Sequence, residues 1–554
     1  MVIRRILTVA WVVSLAAIIG IAVWLRTSSL EGAPWHAGDE SYYGVQTWRL
    51  IHGQSFCIRT MSGNIIDPFI MLMQIPLYAV ASPSAWVLKV PSVVSGLLAV
   101  FLLYILGSRA LDRPTAGLAA VMLMTLPNVI VFSRFGVEPS QIPVVGVIAA
   151  YFALRGHGLG LLATILTGLI VHPTNILLVP ILMPTLLVRI AGQSSGDFRY
   201  LRRSLLTIMG VTGAVGGVVV PLLLMHPTVK VYLIERTANC WSLDWSGFLG
   251  DFARFWTRGP LPGLTPEEHA RVFWIAAVAL LSAGGWRLTR ARCWDRLALI
   301  GGTAAGVTAL HVLAGSDMFV KVDRYASVLI IPMILSFACL VRAATDALNL
   351  GQYSFATPAR QGLMVVLGCG LLFCADRNFF RPAGAGTGES IWTFHTEVKD
   401  PFRCLLRLIR RDLACRNAAH PGDRAGAPRR LVIAQDYFVY MPLVYLARSR
   451  PDVEFVELLN PSFLGQPLIR EPKDTRLCEQ LLGDQLRAGN YVVSEDRCPP
   501  WNGAELIASV AKKVAPPGRL QSWTFPGGPK LVVYRLTDEQ VALRTPGGDP
   551  SLRR

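Results

Sequence analysis

Apolar runs long enough to cross a lipid bilayer dominate this chain, and they restrict what it can fold into more than any motif does. The first, from Ile6 to Leu25, follows the basic start MVIRR. A helical crossing needs about 20 predominantly apolar residues, and runs of that kind recur through the first two thirds of the sequence. Only 16% of the residues are charged against 52% hydrophobic, whereas a soluble domain carries about 25% charged residues. A soluble fold would have no core large enough to bury these runs. The first is too long for the 7–15-residue apolar core of a cleaved signal and no A-x-A-like site follows it, so it reads as an uncleaved signal anchor.

Spans are predicted at about 6–26, 88–108, 115–133, 141–154, 158–171, 174–190, 204–225, 271–289, 297–315, 325–343 and 361–376, about eleven in all. With Arg4 and Arg5 holding the N-terminus in the cytosol, the inside loops are 109–114, 155–157, 191–203, 290–296 and 344–360. They and their edges carry Arg109, Arg113, Arg155, Arg199, Arg202, Arg203, Arg290, Arg292, Arg296, Arg342 and Arg360. Span count and the positive-inside rule therefore agree. The formal net charge of +17 is accounted for by topology and by attraction to anionic head groups, so it does not call for a nucleic-acid partner.

Three outside segments are large: 27–87, 226–270 and the tail from about 377. The tail changes character. RRLVIAQDYF, VEFVELL, NYVVSED and KLVVYRLT read as short strands, and EPKDTRLCEQLLGDQLRAG as a charged amphipathic helix between two of them. That alternation predicts a small extracytoplasmic α/β domain over 377–554 behind a transmembrane domain over 1–376. RPAGAGTGES is a Gly-rich linker before it, RNAAHPGDRAGAPRR a second irregular stretch, and no internal repeat is visible. Of the ten cysteines, Cys57, Cys240, Cys404, Cys415, Cys478 and Cys498 fall outside. Disulfides within the tail are the favoured pairing in that oxidising compartment, against buried free thiols. No spacing of Cys and His suggests zinc.

The candidate chemistry lies on the outer face. PWHAGDESYYGVQTWRLIHG places Asp39 and Glu40 about fourteen residues past the first span. Tyr43, Val45, Trp48, Leu50 and Ile51 follow, in the pattern of an interfacial helix with aromatic residues at head-group level. The pair reads either as chemistry at the height of a lipid phosphate or as a helix cap. Glu138, in VFSRFGVEPSQIP, shares a short turn with Arg134 on the same face. Lys89, Lys321, Arg324 and Tyr325 lie at outer span ends, where they either grip a phosphate or snorkel. His172, in LIVHPTNILLVP, sits between two short spans and is a candidate either for the site or for a cap.

Three stretches together resemble the C-type glycosyltransferase superfamily, in its protein-mannosyltransferase-like and aminoarabinose-transferase-like branch. They are GDESYYGVQTWRLIHGQ, the run AWVLKVPSVVSGLLAVFLLYILGSRALDRPTAGLAAVMLMTLPNVIVFSRFGVEPSQ, and DRYASVLIIP. The resemblance covers about residues 1–345 and is strongest in the second stretch. It implies a polyprenyl-phosphate donor carrying one sugar, an acceptor glycan, lipid or protein, and inverting transfer on the extracytoplasmic face. It implies Asp39 as general base, with Glu40 and Glu138 positioning the acceptor or, in some members, a metal; carboxylates suit Mg or Mn. Lys89, Arg134 and Arg324 then stabilise the phosphate leaving group. One stretch departs from the family: where a His-Pro-Pro-like segment is usual, this chain has NIIDPFIMLMQIPLYAV.

Two other readings stand beside the transferase. A transporter, flippase or polysaccharide polymerase would show matched repeats and midplane sites, and the candidate acids here cluster at one face instead. A non-enzymatic assembly partner would tolerate loss of Asp39.

Overall fold

The structure is a computed structural model of the full chain. It describes residues 2–28, 38–57, 66–81, 83–194, 245–257, 263–314, 326–347, 356–380, 405–409, 430–447, 453–459, 490–495, 503–514, 520–525 and 531–536, with isolated positions between them. In chain order the helices are α1 (Val2–Thr27), α2 (Gly38–Ile51), α3 (Pro68–Val80), α4 (Ala85–Ala110), α5 (Arg113–Thr125), α6 (Pro127–Phe132), α7 (Ile142–Arg155), α8 (Gly158–Val171) and α9 (Leu178–Gln193). Then come α10 (Trp245–Thr257), α11 (Pro266–Arg290), α12 (Trp294–Ala314), α13 (Ser327–Ala347), α14 (Ala356–Ala375), α15 (Tyr437–Ala447) and α16 (Gly503–Val514). Two compact units result. One comprises Met1–Leu30, Gly63–Met73 and Lys89–Pro382; the other comprises Glu31–Ser62, Gln74–Leu88 and Ala383–Arg554.

The first unit is helical. Among the described residues, five helices are long and apolar enough to cross a membrane: Val9–Thr27, Ala85–Ala110, Pro173–Gln193, Pro266–Arg290 and Ser327–Asp346. This is a multi-pass membrane protein. Burial separates its inner from its outer helices. In α13 78% of the apolar window is buried, against 11% in α11, whose Ile275, Val278 and Trp286 are more than half exposed. Side chains of that kind are at home against lipid. The interior is built from α5, α7, α9 and α13, with Leu123, Ala149, Ile181, Leu182, Leu329 and Ile334 fully buried. Close helix approach follows from small residues: a Cβ at Gly302 of α12 would lie 2.1 Å from the Ile181 carbonyl oxygen of α9, and one at Gly306 2.4 Å from the Ile181 side chain. Gly302 and Gly306 are one turn apart, the small-xxx-small spacing that lets two backbones meet.

The predicted span 115–133 is broken. Leu126 is extended (φ −62°, ψ 123°) and Pro127 begins α6, as the steric restriction on a residue before proline requires. The predicted spans at 141–154 and 158–171 are 14-residue helices, each about 21 Å long and so shorter than the roughly 30 Å hydrocarbon layer. Those at 297–315 and 361–376 correspond to α12 and α14, and most of 204–225 lies outside the described residues. The basic helix ends on the expected cytosolic side are tied together: Arg296 meets Asp112 at 3.3 Å and Arg189 meets Asp295 at 3.3 Å. Asp112 also caps α5, accepting from the Thr115 amide at 2.9 Å.

In the second unit, strands β1 (Arg430–Asp436), β2 (Val453–Leu459), β3 (Tyr491–Glu495), β4 (Leu520–Phe525) and β5 (Leu531–Leu536) form one sheet in the order β2-β1-β3-β5-β4. β1 is parallel to β2 and β3; β5 runs antiparallel to β3 and β4. The four expected strands are present. A fifth strand, β4, and helices α15 and α16 add to them, while the expected helix at 471–489 and the Gly-rich linker lie almost wholly outside the described residues. Leu405, Leu406, Ile409 and Leu443 cover Val432, Tyr491, Val493 and Val533 of the sheet. A second cluster packs α2, α3, the start of α4 and α15 together through Val45, Tyr78, Val87, Leu88 and Tyr445.

Candidate active site

Asp39 and Glu40 lie in the first turn of α2. Acidic side chains there lie at the partial positive end of the helix dipole. The two are not equivalent: Glu40 is completely buried, whereas Asp39 is partly exposed. One carboxylate is enclosed and the other keeps part of its surface accessible. Of the residues that suggest an interfacial helix, Tyr43 and Val45 are buried, Trp48 is partly buried, and Leu50 and Ile51 are exposed; Tyr42 is buried as well. Burial and a hydrogen bond with Cys57 hold the Tyr42 phenol well above its ordinary pKa. Thr47 fastens α2 to α3 by donating to Gln74 Oε1 at 2.9 Å.

The other candidates belong to the first unit, where they form two groups. The first gathers cations at the C-terminal end of α1. Arg134 donates to the carbonyls of Leu25 and Ser28, the latter at 2.7 Å, and Lys89 Nζ donates to the Leu30 carbonyl at 2.9 Å. Arg26 is fully buried beside them, donating to the Ala22 carbonyl at 3.0 Å. Cations complement the negative end of a helix dipole and satisfy its last carbonyls. Burial of Arg26 has no sequence signal, since an arginine closing a span ordinarily snorkels.

The second group is acidic. Glu138 begins a short 3-10 turn (Glu138–Ser140) that is fastened to α4 through Ser140 Oγ and Ser92 Oγ, 2.9 Å apart. His172 caps the next turn of chain: its Nδ1 accepts from the Thr174 amide at 3.2 Å. Its Nε2 faces Glu138 Oε1 at 3.9 Å. His172 is therefore both a cap and a neighbour of Glu138. Asp67 completes the group electrostatically. It is fully buried, Oδ1 accepts from the Phe69 amide at 2.9 Å, and Oδ2 has no hydrogen-bond partner among the described residues. Burial, with a smaller contribution from the charge of Glu138, pushes its carboxyl up to about 7. Asp67-Pro68 ahead of an apolar run has the form of a helix start, so its cap was legible; its burial and its coupling to Glu138 were not.

Lys321, Arg324 and Tyr325 lie outside the described residues, as do Cys240, Cys404, Cys415, Cys478 and Cys498. Cys57 is a free thiol. Among the described residues no three of His, Cys, Asp and Glu converge as the ligands of a metal ion would.

The fold is similar to those of ArnT and an archaeal oligosaccharyltransferase. ArnT from Cupriavidus metallidurans in the apo state aligns over 95% of this chain and 98% of its own, at 14% identity and TM-score 0.41; the form bound to undecaprenyl phosphate gives 13% and 0.40. The apo Archaeoglobus fulgidus oligosaccharyltransferase aligns over 94% of this chain and 74% of its own, at 14% identity and TM-score 0.49. No family model and no curated protein matches the chain.

Proposed function

We propose that this protein is a membrane glycosyltransferase that moves a single sugar from a polyprenyl-phosphate donor to an acceptor hydroxyl on the extracytoplasmic face. The acceptor is a glycan, lipid or protein. The observation that carries the reading is the contrast within the acidic pair: Asp39, partly exposed at a helix N-terminus, beside a fully buried Glu40. A general base must reach the proton it takes, and its neighbour need only hold the geometry.

In this mechanism the acceptor oxygen attacks the anomeric carbon while Asp39 takes the hydroxyl proton. The bond from that carbon to the phosphate oxygen breaks, its electron pair leaves with the polyprenyl phosphate, and the anomeric configuration inverts. Negative charge grows on the phosphate, so pre-placed cations lower the barrier. Lys89, Arg134, Lys321 and Arg324 supply that charge, with Tyr325 as a hydroxyl donor. By the resemblance, Glu40 and Glu138 position the acceptor, and His172 is a further candidate beside Glu138. The full complement of about eleven spans, with the N-terminus in the cytosol, sets this chemistry outside.

The test is transfer by purified protein in lipid, using a panel of radiolabelled polyprenyl-phosphate monosaccharides and a mixed acceptor extract. Asp39→Asn is expected to lower turnover by about 10²–10⁴-fold, the contribution of a positioned base. Equal transfer by native protein and Asp39→Asn refutes the mechanism, and no transfer from any polyprenyl-phosphate sugar refutes the activity.

A further inference from the structure

The helix bearing Asp39 and Glu40 is held by the C-terminal domain. Residue 44 follows Glu40 by one helical turn, so both lie on one face of α2. At that position the chain has glycine, and a Cβ there would lie 2.4 Å from Cε2 of the Tyr445 ring and 2.5 Å from Leu88 Cδ2. Tyr445, on α15, is completely buried. Its hydroxyl donates to the Ser84 carbonyl at 3.1 Å and accepts from the Tyr78 hydroxyl at 3.2 Å. The same Tyr78 hydroxyl is 3.3 Å from the Gly44 carbonyl of α2. Trp48, one turn further along α2, meets the Tyr78 ring edge-on at 5.8 Å.

One side chain of the C-terminal domain thus touches three elements of the first outside loop. Its ring abuts the α2 backbone, and its hydroxyl joins Tyr78 of α3 to the Ser84 carbonyl ahead of α4. A buried hydroxyl with donor and acceptor both satisfied specifies one arrangement, because displacing it strands polar groups away from water. Glycine at 44 matters for the same reason: the ring reaches the backbone only where no side chain intervenes.

We propose that Tyr445 is a positioning residue: it fixes α2 and, given the reading of Asp39 as the base, sets where that carboxylate meets the acceptor hydroxyl. The C-terminal domain is then a working part of the transferase and not an appended module.

The test uses the full-length protein in lipid nanodiscs and two readouts. Hydrogen exchange of amides 41–51 reports the hold on α2 whether or not transfer is detected. Tyr445→Ala is expected to speed that exchange at least tenfold while the amides of β1 and β3 stay protected. Tyr445→Phe, which keeps the ring, is expected to stay within threefold of native. Gly44→Ala, which pushes the ring away from the α2 side, is expected to reproduce the alanine result and serves if Tyr445→Ala does not fold. In transfer, Tyr445→Ala and Gly44→Ala are expected to lower kcat at least tenfold with the donor KM within twofold. Unchanged exchange at 41–51 in both variants overturns the proposal, as does unchanged kcat where α2 has loosened. A native protein with no transferase activity refutes the proposed reaction alone, and the exchange result then decides whether Tyr445 holds the helix.

Discussion

Asp67 carries the sharpest prediction, because a fully buried carboxyl between α2 and α3 ties stability to pH. Its pKa is about 7 in the folded protein against 3.8 for the unperturbed group. Between those values the native state holds a proton that the unfolded chain has released. The contribution of Asp67 to stability therefore falls as pH rises from about 4 to about 7 and is level outside that window, with a slope of at most about 1.4 kcal/mol per pH unit. Over about three pH units the ceiling is about 4 kcal/mol, which for a unit of this size displaces the melting midpoint by about 5 °C. Asp67→Asn has no proton to lose. Asn Oδ1 still accepts from the Phe69 amide, while its amide nitrogen replaces an oxygen that has no hydrogen-bond partner among the described residues, a constant cost of about 1–3 kcal/mol. The expected result is a native-minus-variant difference that favours the native protein at pH 4 and shrinks or reverses by pH 8. The measurement is the apparent melting midpoint of both proteins in detergent across that range. Parallel curves between pH 5 and pH 7 refute the assignment of a raised carboxyl. Burial is the larger cause of the shift and Glu138 a smaller one, so Glu138→Gln is expected to leave most of the slope in place.

Two further predictions concern the helix ends. Arg134→Lys keeps the charge but cannot reproduce a guanidinium that donates to both Leu25 and Ser28, so a loss of about 1–3 kcal/mol is expected in thermal unfolding; an unchanged midpoint shows that these carbonyls find other donors. Asp112→Ala removes both the α5 cap and the partner of Arg296, for an expected loss of about 1–2 kcal/mol. Asp112→Asn keeps the cap and is expected to lose less than about 1 kcal/mol, the worth of a partly exposed ion pair; equal losses in the two variants refute that division.

Much of the local structure was legible in the chain. The apolar runs announced α1, α4, α11 and α13 because length and hydropathy are one-dimensional quantities that a bilayer reads directly. Alternating apolar residues announced four of the five strands. The failures have physical causes. The run 115–133 is apolar throughout, so hydropathy joins what Leu126-Pro127 separates. Tyr43 and Val45 belong to a stretch with the composition of a membrane-surface helix, but composition does not show that Val45 packs in one cluster with Tyr445. Strand β4, reading LQSWTF, has too few apolar residues to stand out and is held by its pairing with β5.

By itself the sequence determined that the chain crosses a membrane several times, that an acidic pair follows the first crossing, and that a strand-rich domain closes the chain. These are properties of runs and intervals along one dimension, and solvent acts on them locally. Only the tertiary structure decided which member of the pair is enclosed. Glu40 and Asp39 are adjacent and chemically alike, and they differ because packing closes over one of them. It also decided that Asp67 and Arg26 are buried, that His172 faces Glu138, and that Tyr445 rests on the backbone of a residue some four hundred positions earlier. Desolvation and contact depend on neighbours brought in from distant parts of the chain, and no window of sequence contains them.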